Sequence, residues 1–210
     1  TLSFLLGVST AWIVTYYSFF GKKIIEWALI LPIACPAYII AYVYTDLLEY
    51  AGPVQGFMRN IFGFNSAADY YFPEIRSVGG AIFVMGFVLY PYVYILARTG
   101  FTTSPRSLYE TASIYGRNEF LAVGLPLCRP YIVVGLALVA MEVLSDFGTV
   151  EYFSVQTLTL GMFNVWIGMN SISAASQIAI VTFIFIIVLL ILEGKARSSQ
   201  KYNDTSKRFN

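Results

Sequence analysis

Four carboxylates fall where charge is costly. Asp46, Glu49, Glu142 and Asp146 lie within or beside long apolar stretches, and an ionisable side chain at membrane depth points to function by default. Glu142 and Asp146 are four residues apart, a spacing that puts both on one face of a helix. Their oxygens suit a hard cation, and tyrosines such as Tyr44 and Tyr90 could add phenolic donors. Asp46, Glu142 and Asp146 are therefore the candidates for lining a translocation pathway. The alternative for each carboxylate is a hydrated position near an interface, or a helix cap. Passage requires weak binding, so no tight metal site is expected among them.

Other chemistry is scarce. The chain has no histidine, which removes the commonest metal ligand and the commonest general base together. No His-Glu-x-x-His or paired-cysteine motif is present. Cys35 and Cys128 fall at different depths in the topology below, and read as small apolar residues rather than a disulfide. No enzyme activity and no cofactor are expected. The net charge of +1 gives no sign of a nucleic acid partner.

The elements that position these groups are membrane spans. Of the 210 residues 58% are hydrophobic and 12% charged, against roughly 25% charged in an ordinary soluble protein. A hydrocarbon core about 30 Å thick takes roughly 20 apolar residues per helix. Five runs approach that, at about Leu2–Phe20, Ile24–Leu48, Val78–Ala97, Pro130–Leu144 and Ala175–Leu192. The fold class is all-α, a polytopic membrane protein; the alternating strands of a β-barrel are absent. Pro32 and Pro36 should kink or break the second span.

Lysine and arginine collect on the cytoplasmic side of a membrane. With five spans, eleven of the thirteen fall on one side: Lys22, Lys23, Arg98, Arg106, Arg117, Arg129 and the five from Lys195 onward. Arg59 and Arg76 lie on the other. The start is therefore expected outside and the tail in the cytoplasm, with residues 1–194 as the membrane domain and 195–210 as a polar linker or tail. The two outer loops, rich in aromatics, should hold short helices along the outer surface. The lack of an initiator Met and the polar tail suggest a piece of a longer polypeptide.

One cytoplasmic segment stands out, Tyr109–Pro130, with Glu110, Arg117, Asn118, Glu119 and Arg129 between two apolar spans. Ser104 suits an N-cap and Pro105 a first helical position. Gly116 suits a left-handed stop. Tyr109, Ala112 and Tyr115 then form one stripe of a helix about three turns long. A helix this short is marginal alone and needs a surface to dock on. A solvated connector is the alternative.

Glu110-Thr111-Ala112, Gly116 and Leu125-Pro126 together resemble the cytoplasmic-loop motif of binding-protein-dependent ABC transporter permeases. The stretches "EWALILPIACPAYIIAYVYTDLLEYAGPVQ", "FPEIRSVGGAIFV", "LYPYVYILAR" and "DFGTVEYFSVQTLTLGMFNVW" resemble the ferric-iron branch of that family. Thr111 replaces an alanine of the motif, and the gap from Gly116 to Pro126 is three residues shorter than in the family, so a shorter second loop helix is expected. The resemblance implies a permease subunit of an ATP-driven importer in a bacterial inner membrane, corresponding to the first half of a fused permease. It implies Tyr109, Glu110, Thr111, Ala112, Gly116, Leu125 and Pro126 as an ATPase-coupling element. The implied partners are an ABC ATPase subunit, an extracytoplasmic substrate-binding protein and a second permease half. The implied substrate is ferric iron, with thiamine, phosphonate or another small solute as alternatives. An ion-coupled secondary transporter is the rival reading, because broken helices occur there too.

Overall fold

In lipid, every backbone N–H and C=O must find its partner inside the chain, and helices provide this segment by segment. The structure is a computed structural model that describes residues 1–198, and every regular element among them is helical. The α-helices in order are α1 (Leu2–Tyr16), α2 (Lys22–Ala28), α3 (Ala37–Leu48), α4 (Pro53–Phe62), α5 (Val78–Thr103), α6 (Arg106–Ile114), α7 (Leu125–Ser145), α8 (Gly148–Tyr152), α9 (Leu158–Phe163) and α10 (Ile172–Ser198). Two 3-10 turns, Leu31–Ala34 and Ala67–Asp69, and two π turns, Phe120–Gly124 and Asn164–Gly168, complete them.

The long central helix α5 organises the rest. α1 runs parallel to it: Ser3 Oγ donates to Gly86 O at 3.4 Å near one end, and Trp12 meets Phe101 edge-on at 5.2 Å near the other. α7 runs antiparallel, with Cys128 Sγ donating to Ala97 O at 3.2 Å. Gly7 and Gly135 converge on Val93. A Cβ on Gly7 would lie 2.6 Å from Val93 Cβ, and one on Gly135 2.9 Å from Val93 Cα. Small residues at such crossings let helix backbones approach closely, so these two positions set the spacing of α1, α5 and α7.

Two buried clusters follow. One packs Val84, Val88 and Leu89 of α5 against Ala41, Val150, Phe153 and Leu160. The other joins Tyr90, Val93, Tyr94 and Phe101 to Val8, Ala11, Cys128 and Ile132. Tyr90 is thus a core residue rather than an oxygen donor to a pathway. Cys35, read from the sequence as a small core residue, is exposed, whereas Cys128 is buried; both are free thiols.

All five expected spans fall on helices, with revised bounds. By length and composition Val78–Thr103 and Phe120–Ser145 can each cross a membrane. Lys22–Ala34 with Ala37–Phe62 forms a bent pair at 98°, and Leu2–Tyr16 and Ile172–Val188 are shorter apolar helices. The break predicted in the second span occurs: Pro32 opens a 3-10 turn, and Pro36 sits extended before α3. The first span stops at Tyr16, because Tyr17 turns to extended backbone. The fourth was expected only over Pro130–Leu144, yet its helix starts ten residues earlier, at Phe120. Pro126 has no N–H to give and its ring crowds the preceding turn. The π turn Phe120–Gly124, with Leu125 N–H bonded to Phe120 O, absorbs that crowding without ending the helix. Hence no separate, shortened loop helix exists there. The last span is α10, which continues past residue 195; the remainder of the expected tail, 199–210, lies outside the described residues.

Candidate functional site

The bundle has two distinct ends. At one, Tyr16 OH donates to Glu119, and α6 follows α5. At the other, Arg76 Nε pairs with Glu49 at 2.7 Å, joining the end of α3 to the start of α5. Lys22, Lys23, Arg106 and Arg117 lie toward the α6 end, and Arg59 and Arg76 toward the opposite one.

α6 is the candidate interaction element. Ser104 does not cap it. The Ser104 hydroxyl donates back to Gly100 O at 2.8 Å and closes α5, so α6 starts at Arg106 after an extended Pro105. A serine before proline can bond either the helix behind it or the one ahead, and here the preceding carbonyl wins. The stop at Gly116 forms as expected. Gly116 has φ +64, its N–H donates to Ser113 O at 2.9 Å, and Arg117 N–H donates to Ala112 O at 2.9 Å. These are the paired bonds of a Schellman motif.

The helix presents two faces. Ala112 is buried and Tyr109 half-buried against an aromatic cluster centred on Trp12. Trp12 lies 5.9 Å from Tyr109, 5.1 Å from Phe120, 5.2 Å from Phe101 and 4.6 Å from Tyr16. Burial pushes the Tyr109 hydroxyl pKa up. Tyr115, expected on the same stripe, instead points outward at 77% exposed, because the chain has already begun to turn toward Gly116. With Ile114 at 83% and Leu108 also exposed, it forms an apolar outer face, and Glu110 and Thr111 lie exposed beside it. Thr111 Oγ1 donates to Ser107 O at 2.7 Å, which leaves its methyl outermost. Leu125 and Pro126 are half-buried in the first turn of α7, and Leu125 packs against the core.

Sequence reasoning missed the receptor for α6 and one cap. Trp12, Tyr16, Phe101 and Phe120 come from three separate elements. Only their position near helix ends, where aromatics gather, could have signalled them. Asn118 caps the next helix, its Oδ1 accepting from Leu121 N–H at 3.1 Å, and Glu119 in the first turn suits the helix dipole.

The pathway carboxylates do not gather. Asp146 lies beyond the end of α7, so it does not share a helix face with Glu142. Its Oδ1 accepts from the N–H of Thr149 at 2.8 Å and of Val150 at 3.3 Å, and its Oδ2 from Thr149 Oγ1 at 3.0 Å. It caps α8, the alternative open from the sequence. Glu142 and Asp46 are exposed. Among the described residues no group of three or more His, Cys, Asp or Glu side chains is placed to hold a metal ion. A cleft of about 570 Å³ between the α3–α4 junction and the loop before α5 is lined by Glu49, Glu74, Arg76 and Tyr70 among others, not by these three. There the Glu49 hydrogen bond holds the Arg76 guanidinium further above its ordinary range, and Arg76 also lies 4.9 Å over the Tyr152 ring.

Three comparisons bear on this arrangement. The family described as "Binding-protein-dependent transport system inner membrane component" matches residues 3–195. An Fe(3+)-transport system permease protein of Haemophilus influenzae is 25% identical over 188 residues, covering 88% of this chain. The chain spans only about a third of that relative, 32% of its length. A molybdenum transport system permease protein of Escherichia coli is 26% identical over 202 residues, 93% of this chain and 86% of that one. A chain from the crystal structure of a bacterial ABC transporter involved in the import of the acidic polysaccharide alginate has the same fold, with a TM-score of 0.69 at 16% identity over 95% of this chain and 72% of that chain.

Proposed function

Because the chain belongs to the family of inner membrane components of binding-protein-dependent transport systems, we propose that α6 and its Gly116 stop form the surface on which a partner ATPase docks to drive import. The chain is a transport component and not an enzyme; ATP hydrolysis resides in a separate subunit in this family. The observation that carries the proposal is the two-faced α6. Its inner face is held by the Trp12 cluster, while Leu108, Ile114 and Tyr115 are exposed with no partner among the described residues. A rigidly seated short helix with an open apolar face can pass a push from a soluble subunit into α1, α5 and α7 together. The α6 end is then cytoplasmic and the α4 end external.

We further propose ferric iron as the cargo, delivered by an extracytoplasmic binding protein, with a second permease half completing the pathway. Of the two relatives described above, one is named for iron and one for molybdenum, and charge discriminates a ferric cation from a molybdate anion. Among the described residues the external end carries Asp46, Glu49, Asp69, Glu74, Glu142, Asp146 and Glu151 against Arg59 and Arg76 alone. Both arginines are already engaged, Arg76 with Glu49 and Arg59 over the Tyr50 ring. Such a field attracts cations and repels oxyanions. Asp46 and Glu142, exposed and without a cation partner among the described residues, are the proposed pathway carboxylates. Uptake into proteoliposomes tests this. With ATPase, binding protein and second half present, radiolabelled ferric iron should accumulate only with internal ATP, and molybdate should not. ATP-independent uptake driven by an ion gradient would refute the importer, and molybdate uptake would refute the cargo.

A further inference from the structure

Two ion pairs form among the described residues, and both tie the same two spans together. Toward the α6 end, Arg98 Nη2 of α5 meets Glu26 Oε2 of α2 at 2.9 Å. At the far end, Arg76 Nε, just before α5, meets Glu49 Oε1, just after α3, at 2.7 Å. In each pair the bent span gives the carboxylate and the α5 span the guanidinium. The two arginines stand roughly 30 Å apart by the helical rise of about 1.5 Å per residue. Between them the seam is apolar. Leu29 and Ile30 pack on the cluster of Tyr90, Val93 and Tyr94, and Ala41 joins that of Val84 and Val88.

Apolar packing is non-directional, so it holds the bent span against α5 without selecting a position along it. The pairs are partly exposed and add little net stability; what such a pair supplies is register. α2 has little else to hold it. None of its residues is buried, and Ile24 and Trp27 face outward. The two arms of the bent span are also separate. Cys35 N–H closes the first arm on Pro32 O, Pro36 has no N–H, and Ile40 N–H opens the second arm on Pro36 O. No backbone hydrogen bond among the described residues therefore bridges the 98° bend.

We propose that Glu26–Arg98 and Glu49–Arg76 are clamps that fix the bent span on α5 at its two ends, and that each opens without the other, with the Cys35–Pro36 break as the hinge. A few residues at the ends of elements are enough to make such a hinge. Both ends have room to open. The cleft of about 570 Å³ reaches Glu49 and Arg76. Gly21, left-handed at φ +80 with nothing within 4 Å, leaves the turn before α2 free of packing. Arg98 lies in the last turns of α5, directly before α6. Its clamp therefore carries a displacement of α6 into the bent span. On the ATPase reading of α6, on which this last step rests, the clamps let one end of the seam open while the other stays shut.

The test uses the full chain in nanodiscs of phosphatidylcholine, in a Cys35→Ser background, with spin labels on cysteine pairs read by pulsed dipolar spectroscopy. Lys23→Cys with Thr102→Cys reports the α6 end, and Ala51→Cys with Val78→Cys the far end; all four positions are exposed, whereas Cys128 is buried. Glu26→Lys sets two cations together and should lengthen the distance at the α6 end by several ångströms, with the far end unchanged. Glu49→Lys should do the reverse. The charge swaps Glu26→Arg with Arg98→Glu, and Glu49→Arg with Arg76→Glu, should each restore the original distance. A shift at both ends in either variant, no shift in either, or swaps that restore nothing would overturn the proposal. With ATPase, binding protein and second half added, Glu26→Lys should lose uptake while ATP hydrolysis continues, and its swap should regain it. An unaltered chain without ATP-driven uptake would refute the importer and leave the clamps to be judged on the distances. Normal uptake by Glu26→Lys beside an active unaltered chain would overturn the clamps' part in transport alone.

Discussion

Replacing Gly116 with valine isolates the end of α6 from everything else. A side chain at this position meets nothing within 4 Å, so no clash arises. The cost is confined to the backbone, where φ is +64. A left-handed conformation costs an L-residue about 1–2 kcal/mol, and a β-branched side chain makes it a sharper outlier. Relaxing the strain means giving up the Gly116 N–H to Ser113 O and Arg117 N–H to Ala112 O bonds. Those bonds close a helix of nine residues, too short to hold itself together. If the ATPase binds only the closed form, a shift of 1–2 kcal/mol weakens its affinity about five- to thirty-fold. The assay is titration of the ATPase subunit onto nanodisc-held protein, with ATP hydrolysis and uptake measured on the same samples. Gly63→Val is the control, since Gly63 has φ +71, equally open space, and lies at the far end of the bundle. It should leave ATPase affinity unchanged. Unaltered affinity in Gly116→Val, or an equal loss in Gly63→Val, would refute the reasoning.

Further outcomes are expected elsewhere. In the Cys35→Ser background, a cysteine at Ser113 should label only from the cytoplasm and one at Ser66 only from outside; labelling of both from one side would break the assigned topology. Gly135→Leu should lower the melting temperature in detergent by several degrees, because its Cβ meets Val93 Cα at 2.9 Å and overpacking costs about 1–3 kcal/mol. Gly161→Leu, with nothing within 4 Å, should not, and equal destabilisation of the two would refute the close-approach argument. Asp69 accepts from the N–H groups of Ser66 and Asn65, both at 2.8 Å, and these bonds, Ser66 first, hold its pKa below the ordinary value of 3.8. Its contribution is therefore complete above the unfolded pKa and is lost as pH falls through the lower folded value. Relative to an Asp69→Asn variant, hydrogen-exchange protection at Asn65 and Ser66 should persist at neutral pH and vanish only in strong acid.

The spans were legible because apolar length is a one-dimensional signal. The break at Pro32 and Pro36 and the stop at Gly116 were legible too, since proline and glycine act on their own backbone. The misreadings share a cause: each depended on a partner distant in sequence or on a choice between two local bonds. Ser104 could bond forward to α6 or back to Gly100, and the sequence does not say which. Asp146 and Glu142 have helical spacing, but α7 ends between them and Asp146 turns to cap α8. The fourth span was expected to begin only at Pro130, but a π turn at Phe120–Gly124 lets the helix run on into Pro126 and past Pro130. The Trp12 cluster that seats α6 joins α1, α5 and the start of the α7 helix, residues as distant in sequence as Trp12 and Phe120, so no local pattern encodes it.

The central claim is that the outer face of α6 meets an ATPase. A photo-crosslinking amino acid at Ile114, 83% exposed and outside the Trp12 cluster, tests it in intact cells. The adduct at Ile114 should be a nucleotide-hydrolysing subunit identified by mass spectrometry, and the same probe at Phe57 should give no such adduct. Absence of an ATPase adduct at Ile114 in cells that retain uptake, or its appearance at Phe57, would contradict the account.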